Sequence, residues 1–181
     1  MHRFITAILL LTLASNVCLG SEGDDQANAF ADLYASLCIK NMLKLDTLRE
    51  KLKPMPKLPP EEAAIFLGGH PGDAWPVSGT HGNFVLVLHR GKNFCAVYVR
   101  RASTGTARKW FIRLVKHPRF PVIAKQVKNE QALTTVNGQT HTVSYEWSIP
   151  STTRKMLFTL TTASSDFAQI QVLGSAEIIS Q

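Results

Sequence analysis

Hydrophobic residues follow a helical spacing near the N-terminus of this chain. The spacing runs at intervals of three, four and one residue through Phe30, Leu33, Leu37 and Cys38. It predicts an amphipathic helix from Ala27, with Cys38 on or beside the buried stripe. We expect Asp24 or Asp25 to cap the start of this helix, because acidic side chains favour its positive end.

Further helices and a connector follow. Thr47 and Glu50 have the spacing of a capping box, which predicts a second helical segment there. Residues 53–60 include four prolines and are predicted to form an extended connector, since proline disrupts helices and inner strands. Pro60 suits the first position of a short helix, which the glycines at 68–69 would end.

Residues 83–101 form a strongly hydrophobic stretch and predict a buried hairpin that turns at 91–93. Both alternating sets of side chains in its first strand are mostly apolar, so we expect both faces to be covered. A helix is predicted over 104–117, with a threonine cap. Four more strands are predicted at 121–128, 142–148, 155–162 and 168–179.

This order of elements predicts an α+β fold. We expect a mainly antiparallel sheet of about five to six strands with helices packed on one face, preceded by an N-terminal helical segment. The helix over 104–117 is expected to cross the sheet.

Residues 1–20 have a short basic start, an apolar run and a small-residue end, which is the layout of a secretory signal peptide. Cleavage near Gly20 would leave residues 21–181 as a single exported domain, periplasmic or secreted. Lipid anchoring at Cys18 is an alternative, but Asn16 and Val17 make a poor lipobox. No later stretch is apolar enough to predict a transmembrane helix.

Export would leave two cysteines in the mature chain, Cys38 and Cys95. An oxidising compartment favours one disulfide between them, and two buried free thiols are the alternative.

Charge is distributed unevenly. The net charge falls from +7 to +6 when Arg3 leaves with the signal, and no Asp or Glu occurs between Ala74 and Asn129. Such a one-signed span attracts an anionic partner, which in the envelope would be a protein, an envelope polymer or a lipid headgroup. Export argues against nucleic acid. The candidate binding residues are Arg100, Arg101, Arg108, Lys109, Arg113, Trp75 and Trp110.

The loop predicted at 68–82 carries the other candidate site, His70, Asp73 and His81. Their spacing matches no standard metal motif, and we predict no metal and no cofactor. No nucleophile elbow or phosphate-binding glycine loop occurs, and no catalytic residues are assigned.

The run from Leu67 to Ala102, with the later segments HTVSYEWSIP and KMLFTLTTASS, resembles an uncharacterised family of small exported Gram-negative bacterial proteins and lipoproteins. These proteins carry one cysteine on a helix and another in a strand of the FCAVY type. The resemblance implies export and a Cys38–Cys95 pair. It implies no activity.

Three functions are compatible with this sequence. We favour a non-enzymatic periplasmic binding protein, of the immunity or inhibitor type, that engages an anionic partner through a basic face. The alternatives are a small cell-envelope hydrolase that uses the His70–His81 loop and an envelope-associated structural factor.

Overall fold

The computed structural model describes residues 21–150 and 152–180, so the predicted signal peptide and Cys18 lie outside it. Within these residues, no helix is long and apolar enough to cross a membrane. The helices are α1 (Glu22–Leu33), a π-helical segment (Tyr34–Ile39), α2 (Leu45–Leu52), α3 (Pro60–Leu67) and α4 (Thr104–Val115). The strands are β1 (Gly72–Gly79), β2 (Gly82–His89), β3 (Phe94–Val99), β4 (Ile123–Thr134), β5 (Gly138–Ser148), β6 (Arg154–Ala163) and β7 (Val172–Ser180).

The predicted α+β class is confirmed, with one seven-stranded sheet in the order β1-β2-β3-β7-β6-β5-β4. Every neighbouring pair is antiparallel. After β3 the chain runs through α4 to the opposite edge, and four strands then return towards β3. The predicted crossing of α4 is therefore correct, and the last strand occupies the centre of the sheet.

The main core lies between the sheet and the helices α1, α2 and α4, on what we call the α1 face. Alternation along β2 directs Leu86 and Leu88 to this face, where they meet Phe30, Tyr34 and Phe111 from the helices. All five side chains are buried, so this layer supplies most of the hydrophobic stabilisation.

The opposite face, the α3 face, is covered in part by α3. Ala63 of this helix packs with Ala74, Val87 and Ala96, which are the alternate residues of the first three strands. The prediction of helices on one face is therefore wrong. The prediction that the first strand of the hairpin is covered on both faces is right.

The sheet has seven strands where about five to six were predicted, and the unpredicted strand is β1, which occupies residues predicted to be loop. Asp73, Trp75 and Val77 alternate towards the α1 face, but glycines at both ends and Pro76 conceal this pattern. Since β1 is an edge strand, Pro76 can be accommodated without losing a ladder hydrogen bond.

Helix starts also differ from the predictions. Ser21 caps α1 by accepting a hydrogen bond from the Asp24 amide, and Ser103 caps α4 in the same way through Thr106. The predicted capping box at Thr47 does not form, because α2 already begins at Leu45.

The Cys38–Cys95 disulfide is present and joins residues 57 positions apart. Cys38 lies in the π-helical segment and Cys95 in β3, so the bridge ties the N-terminal helical layer to a central strand. This outcome confirms the disulfide and excludes two separate buried thiols.

Gly174 of β7 allows α1 to lie close to the sheet. A Cβ at this position would come within 2.7 Å of the Phe30 ring and 3.2 Å of the Tyr34 ring. The Tyr34 hydroxyl donates a 2.6 Å hydrogen bond to the Ser175 carbonyl beside it. A residue without a side chain is therefore needed where these two rings cross β7.

Candidate functional site

Asp73 is a buried carboxylate surrounded by cations. Its Oδ1 accepts hydrogen bonds from Lys57 Nζ at 2.8 Å and from Arg90 at 2.9 Å. Arg49 Nε lies 3.8 Å from the other oxygen. Burial opposes ionisation, but the bonds from Arg90 and Lys57 outweigh it and hold the pKa of Asp73 below its ordinary value.

These contacts join three separate segments of chain. Arg49 belongs to α2, Lys57 to the proline-rich connector, and Arg90 follows β2. Arg49 also donates to the His89 carbonyl at 2.8 Å and to Asp46 at 3.1 Å. The cluster therefore fixes the connector and α2 against the sheet, and its positive charges outnumber its carboxylates.

His70 and His89 lie beside this cluster. The His89 ring stacks on the Phe94 ring with 4.1 Å between centroids. The centroid of the His70 ring lies 4.8 Å from that of His89. Burial lowers the pKa of His89 to about 4, and the charges of His70 and Lys92 act in the same direction. His89 is therefore neutral near pH 7.

A cleft of about 470 Å³ is lined by His70, Asp73, Lys57 and Arg90, together with residues of α3. His81, the third residue of the predicted loop site, does not reach this cleft. It lies in the turn between Gly79 and Gly82, at the opposite end of β1. An eight-residue strand spans about 25 Å, so the structure joins His70 and Asp73 but separates them from His81. Residues 21–150 and 152–180 contain no group of three or more potential metal ligands.

The two tryptophans proposed to share a surface occupy different environments. Trp75 is 0% exposed and packs in the main core, so it cannot contact a partner in the folded protein. Trp110 is half-buried on α4, where its indole N–H donates to Asn28 at 2.7 Å. The Arg113 guanidinium lies over the Trp110 ring at 5.1 Å.

The cations of α4 are divided between two flanks of the helix. Arg108 lies 2.9 Å from His141 of β5, and His141 in turn lies 2.7 Å from Asn129 of β4. On the other flank, the charge of Lys109 acts on Asp24 of α1, whose Oδ1 accepts a 2.6 Å hydrogen bond from Thr106. These contacts lower the pKa of Asp24, with the Thr106 bond contributing most. The acidic start of α1 thus adjoins one part of the basic span.

Arg100 and Arg101 are the exposed cations at the end of β3. They line a cleft of about 350 Å³ with Glu22, Gln26 and Asn83. Neither takes part in any ion pair found in the described part of the chain. Both guanidinium groups are therefore available to an anion.

An apolar groove of about 450 Å³ adjoins Arg100 on the α3 face. We call it the α3 groove. Its lining residues come from α3, from β2, from β3 and its end, and from the loop before β7; they are Ile65, Phe66, Asn83, Val85, Tyr98, Val99, Arg100, Gln169 and Ile170.

Tyr98 presents an uncharged ring to the α3 groove. Its hydroxyl donates to the Phe66 carbonyl at 2.9 Å, and burial raises its pKa to about 12. Sequence reasoning missed this groove, although residues 63–67 contain a signal for it. They are five consecutive apolar residues in an eight-residue helix, so one face of the helix cannot bury them all.

Comparison with protein-family models, with curated proteins and with solved structures finds no match for this chain.

Proposed function

We propose that this protein is a non-enzymatic binding protein of the bacterial cell envelope that captures an anionic partner through Arg100 and Arg101. The observation that carries this proposal is that Arg100 and Arg101 are both exposed, line one cleft and stand outside every ion pair of the described residues. Guanidinium groups favour carboxylates and phosphates, because their donors form paired hydrogen bonds with both. The envelope location follows from the predicted signal peptide.

Other cations are less suited to this role. Arg49, Lys57 and Arg90 are occupied by Asp73, and Arg113 lies over Trp110. We place Arg100 and Arg101 at the centre of the proposed surface because they line one cleft, and Arg108 and Lys109 contribute mainly to the long-range field.

The hydrolase alternative has less support. It requires the loop of His70, Asp73 and His81 to converge on one substrate, but His81 lies at the far end of the β1–β2 hairpin. Oδ1 of Asp73 also accepts hydrogen bonds from Lys57 and Arg90, and these bonds hold the carboxylate in its ion-pair cluster.

Retention on a sulfated polyanion column tests the proposal. We expect the double variant Arg100→Gln/Arg101→Gln to elute at lower salt than the wild type, because it loses the proposed contact cations. The matched control is Lys40→Gln/Lys44→Gln, which removes the same charge from two exposed lysines outside these clefts. Equal shifts in the elution salt concentration of the two variants would show that retention depends only on net charge, and the proposal would fail.

A further inference from the structure

We propose that the α3 groove binds a single acyl chain whose anionic head is held by Arg100. This inference rests on the proposed function, since Arg100 belongs to both. It adds a ligand class, an amphipathic anion with a carboxylate or phosphate head.

The dimensions and lining of the groove support this class of ligand. Its volume of about 450 Å³ lies within the range of small-molecule pockets, about 300–1,000 Å³. Such pockets are mostly apolar and contain a few polar groups that orient the ligand. Here Ile65, Phe66 and Val85 supply apolar surface, and Asn83, Arg100 and Gln169 are the polar groups.

Ile65 is a solvent-exposed aliphatic side chain at the groove, with 62% of its surface accessible. A ligand that covers exposed apolar surface removes it from water, and this burial favours binding. The Tyr98 hydroxyl is already bonded to Phe66, so its ring can contact an alkyl chain without leaving a polar group unpaired.

The charge beside the groove selects the head group. Arg100 lines the groove and Arg101 follows it, and neither belongs to an ion pair found within the described residues. An anionic head can therefore bind Arg100 while its alkyl chain lies along Ile65 and Tyr98. A ligand with the same alkyl chain and a cationic head would be repelled by the positive charge of Arg100.

Calorimetric titration of the full domain with octanoate, decanoate and laurate, each below its micelle concentration, tests this arrangement. We expect saturable binding of one ligand per chain, with Kd falling about threefold to fourfold for each added methylene. Dodecyl phosphate should bind as laurate does, and this arm compares the two anionic heads. Dodecyltrimethylammonium is the matched cationic probe and should bind at least tenfold more weakly.

Two variants locate the site. Ile65→Ser and Arg100→Gln should each weaken laurate binding about tenfold, which corresponds to about 1.4 kcal/mol. Leu43→Ser removes an equally exposed aliphatic side chain that does not line the groove, and it should leave the Kd unchanged. Circular dichroism of each variant checks that the fold is retained.

The inference is overturned if neither anionic probe binds saturably, if the cationic probe binds equally well, or if Arg100→Gln binds laurate as the wild type does. If laurate does not bind but the arginine double variant still shows reduced polyanion retention, the groove proposal is rejected and the proposed function stands. If the arginine double variant keeps its polyanion retention and laurate binding still depends on Arg100, the broader anion-binding surface alone is rejected.

Discussion

Asp73 draws together three cationic side chains from α2, the connector and the end of β2. The carboxylate is only 7% exposed, whereas Lys57 and Arg90 remain largely in contact with solvent. Its ionised form is favoured by hydrogen bonds that the unfolded chain lacks. The cluster therefore acts in stability, and its effect depends on pH.

We predict that Asp73→Asn lowers the free energy of unfolding by about 2 kcal/mol at pH 7, since it removes one charge from a partly solvated ion-pair cluster. The pKa of Asp73 is lowered by folding. Its contribution is therefore complete above the unfolded pKa near 3.8 and is lost as pH falls through the lower folded pKa. Urea unfolding of both proteins between pH 7 and pH 2 measures this. A difference that does not shrink in acid would contradict the assignment.

His89 acts in a different pH range. Its pKa falls from 6.5 to about 4 on folding, so the unfolded state binds a proton that the folded state resists. The stability that neutral His89 permits is complete above pH 6.5 and declines as pH falls towards 4. We expect the difference in unfolding free energy between wild type and His89→Phe to change by about 2 kcal/mol between pH 7 and pH 4.5. A constant difference across this range would exclude His89 as the titrating group.

The disulfide stabilises the contact between the helical layer and β3. Closing a loop of 57 residues restricts the unfolded chain and contributes about 4 kcal/mol in the loop-entropy description. We predict that Cys38→Ala/Cys95→Ala loses most of this free energy in urea unfolding. The wild type with a reductant present should unfold at the same urea concentration as this variant, because the loss arises from the same bridge. A variant as stable as the oxidised protein would contradict this account.

The crossing of α1 over β7 leads to a second prediction for the helices and strands. Gly174→Ala should destabilise the protein by about 1–3 kcal/mol, because its methyl group would overlap the Phe30 ring. Gly105→Ala is the matched control. A Cβ on Gly105 has no neighbour within 4 Å, so alanine should be neutral or slightly stabilising in α4. Thermal unfolding of both variants compares the two positions, and equal shifts would show that the α1 crossing is not tight.

Local patterns predicted the elements with regular signals. The proline at the start of α3 and the glycine after it were sufficient to predict this helix and its ends, because both residues act on the backbone within a few positions. The two-faced hydrophobic pattern of β2 was sufficient for the same reason. β1 was missed because Pro76 and the glycines dominate its composition, and only the neighbouring strand β2 accounts for its extended conformation.

The candidate sites were predicted less completely. His70 and Asp73 of the predicted loop site line one cleft, but Lys57 and Arg49 could not be paired with Asp73 from a separation of 16 or more positions. Trp75 was assigned to the surface because the loop prediction concealed its place in the main core.

At the scale of the whole molecule, one sheet joins both halves of the chain. Trp75 in β1 and Trp147 in β5 both contact the main core, so strands on the two sides of β7 are coupled through one hydrophobic layer. In a Trp110→Phe variant, only these two tryptophans report on unfolding. We predict that fluorescence and far-ultraviolet circular dichroism change together in a single urea transition. Two separate transitions would show that β1–β3 and β4–β7 unfold independently.

The central position of β7 also governs when the domain can assemble during synthesis. β3 and β6 both pair with this strand, and Phe30 and Tyr34 of the first helical layer rest against it. β7 is synthesised after the other six strands, so the part of the sheet beneath Phe30 and Tyr34 is incomplete until this strand has emerged. A nascent chain stopped before Val172 therefore exposes two strand edges and an uncovered aromatic face, which are features that chaperones and proteases recognise.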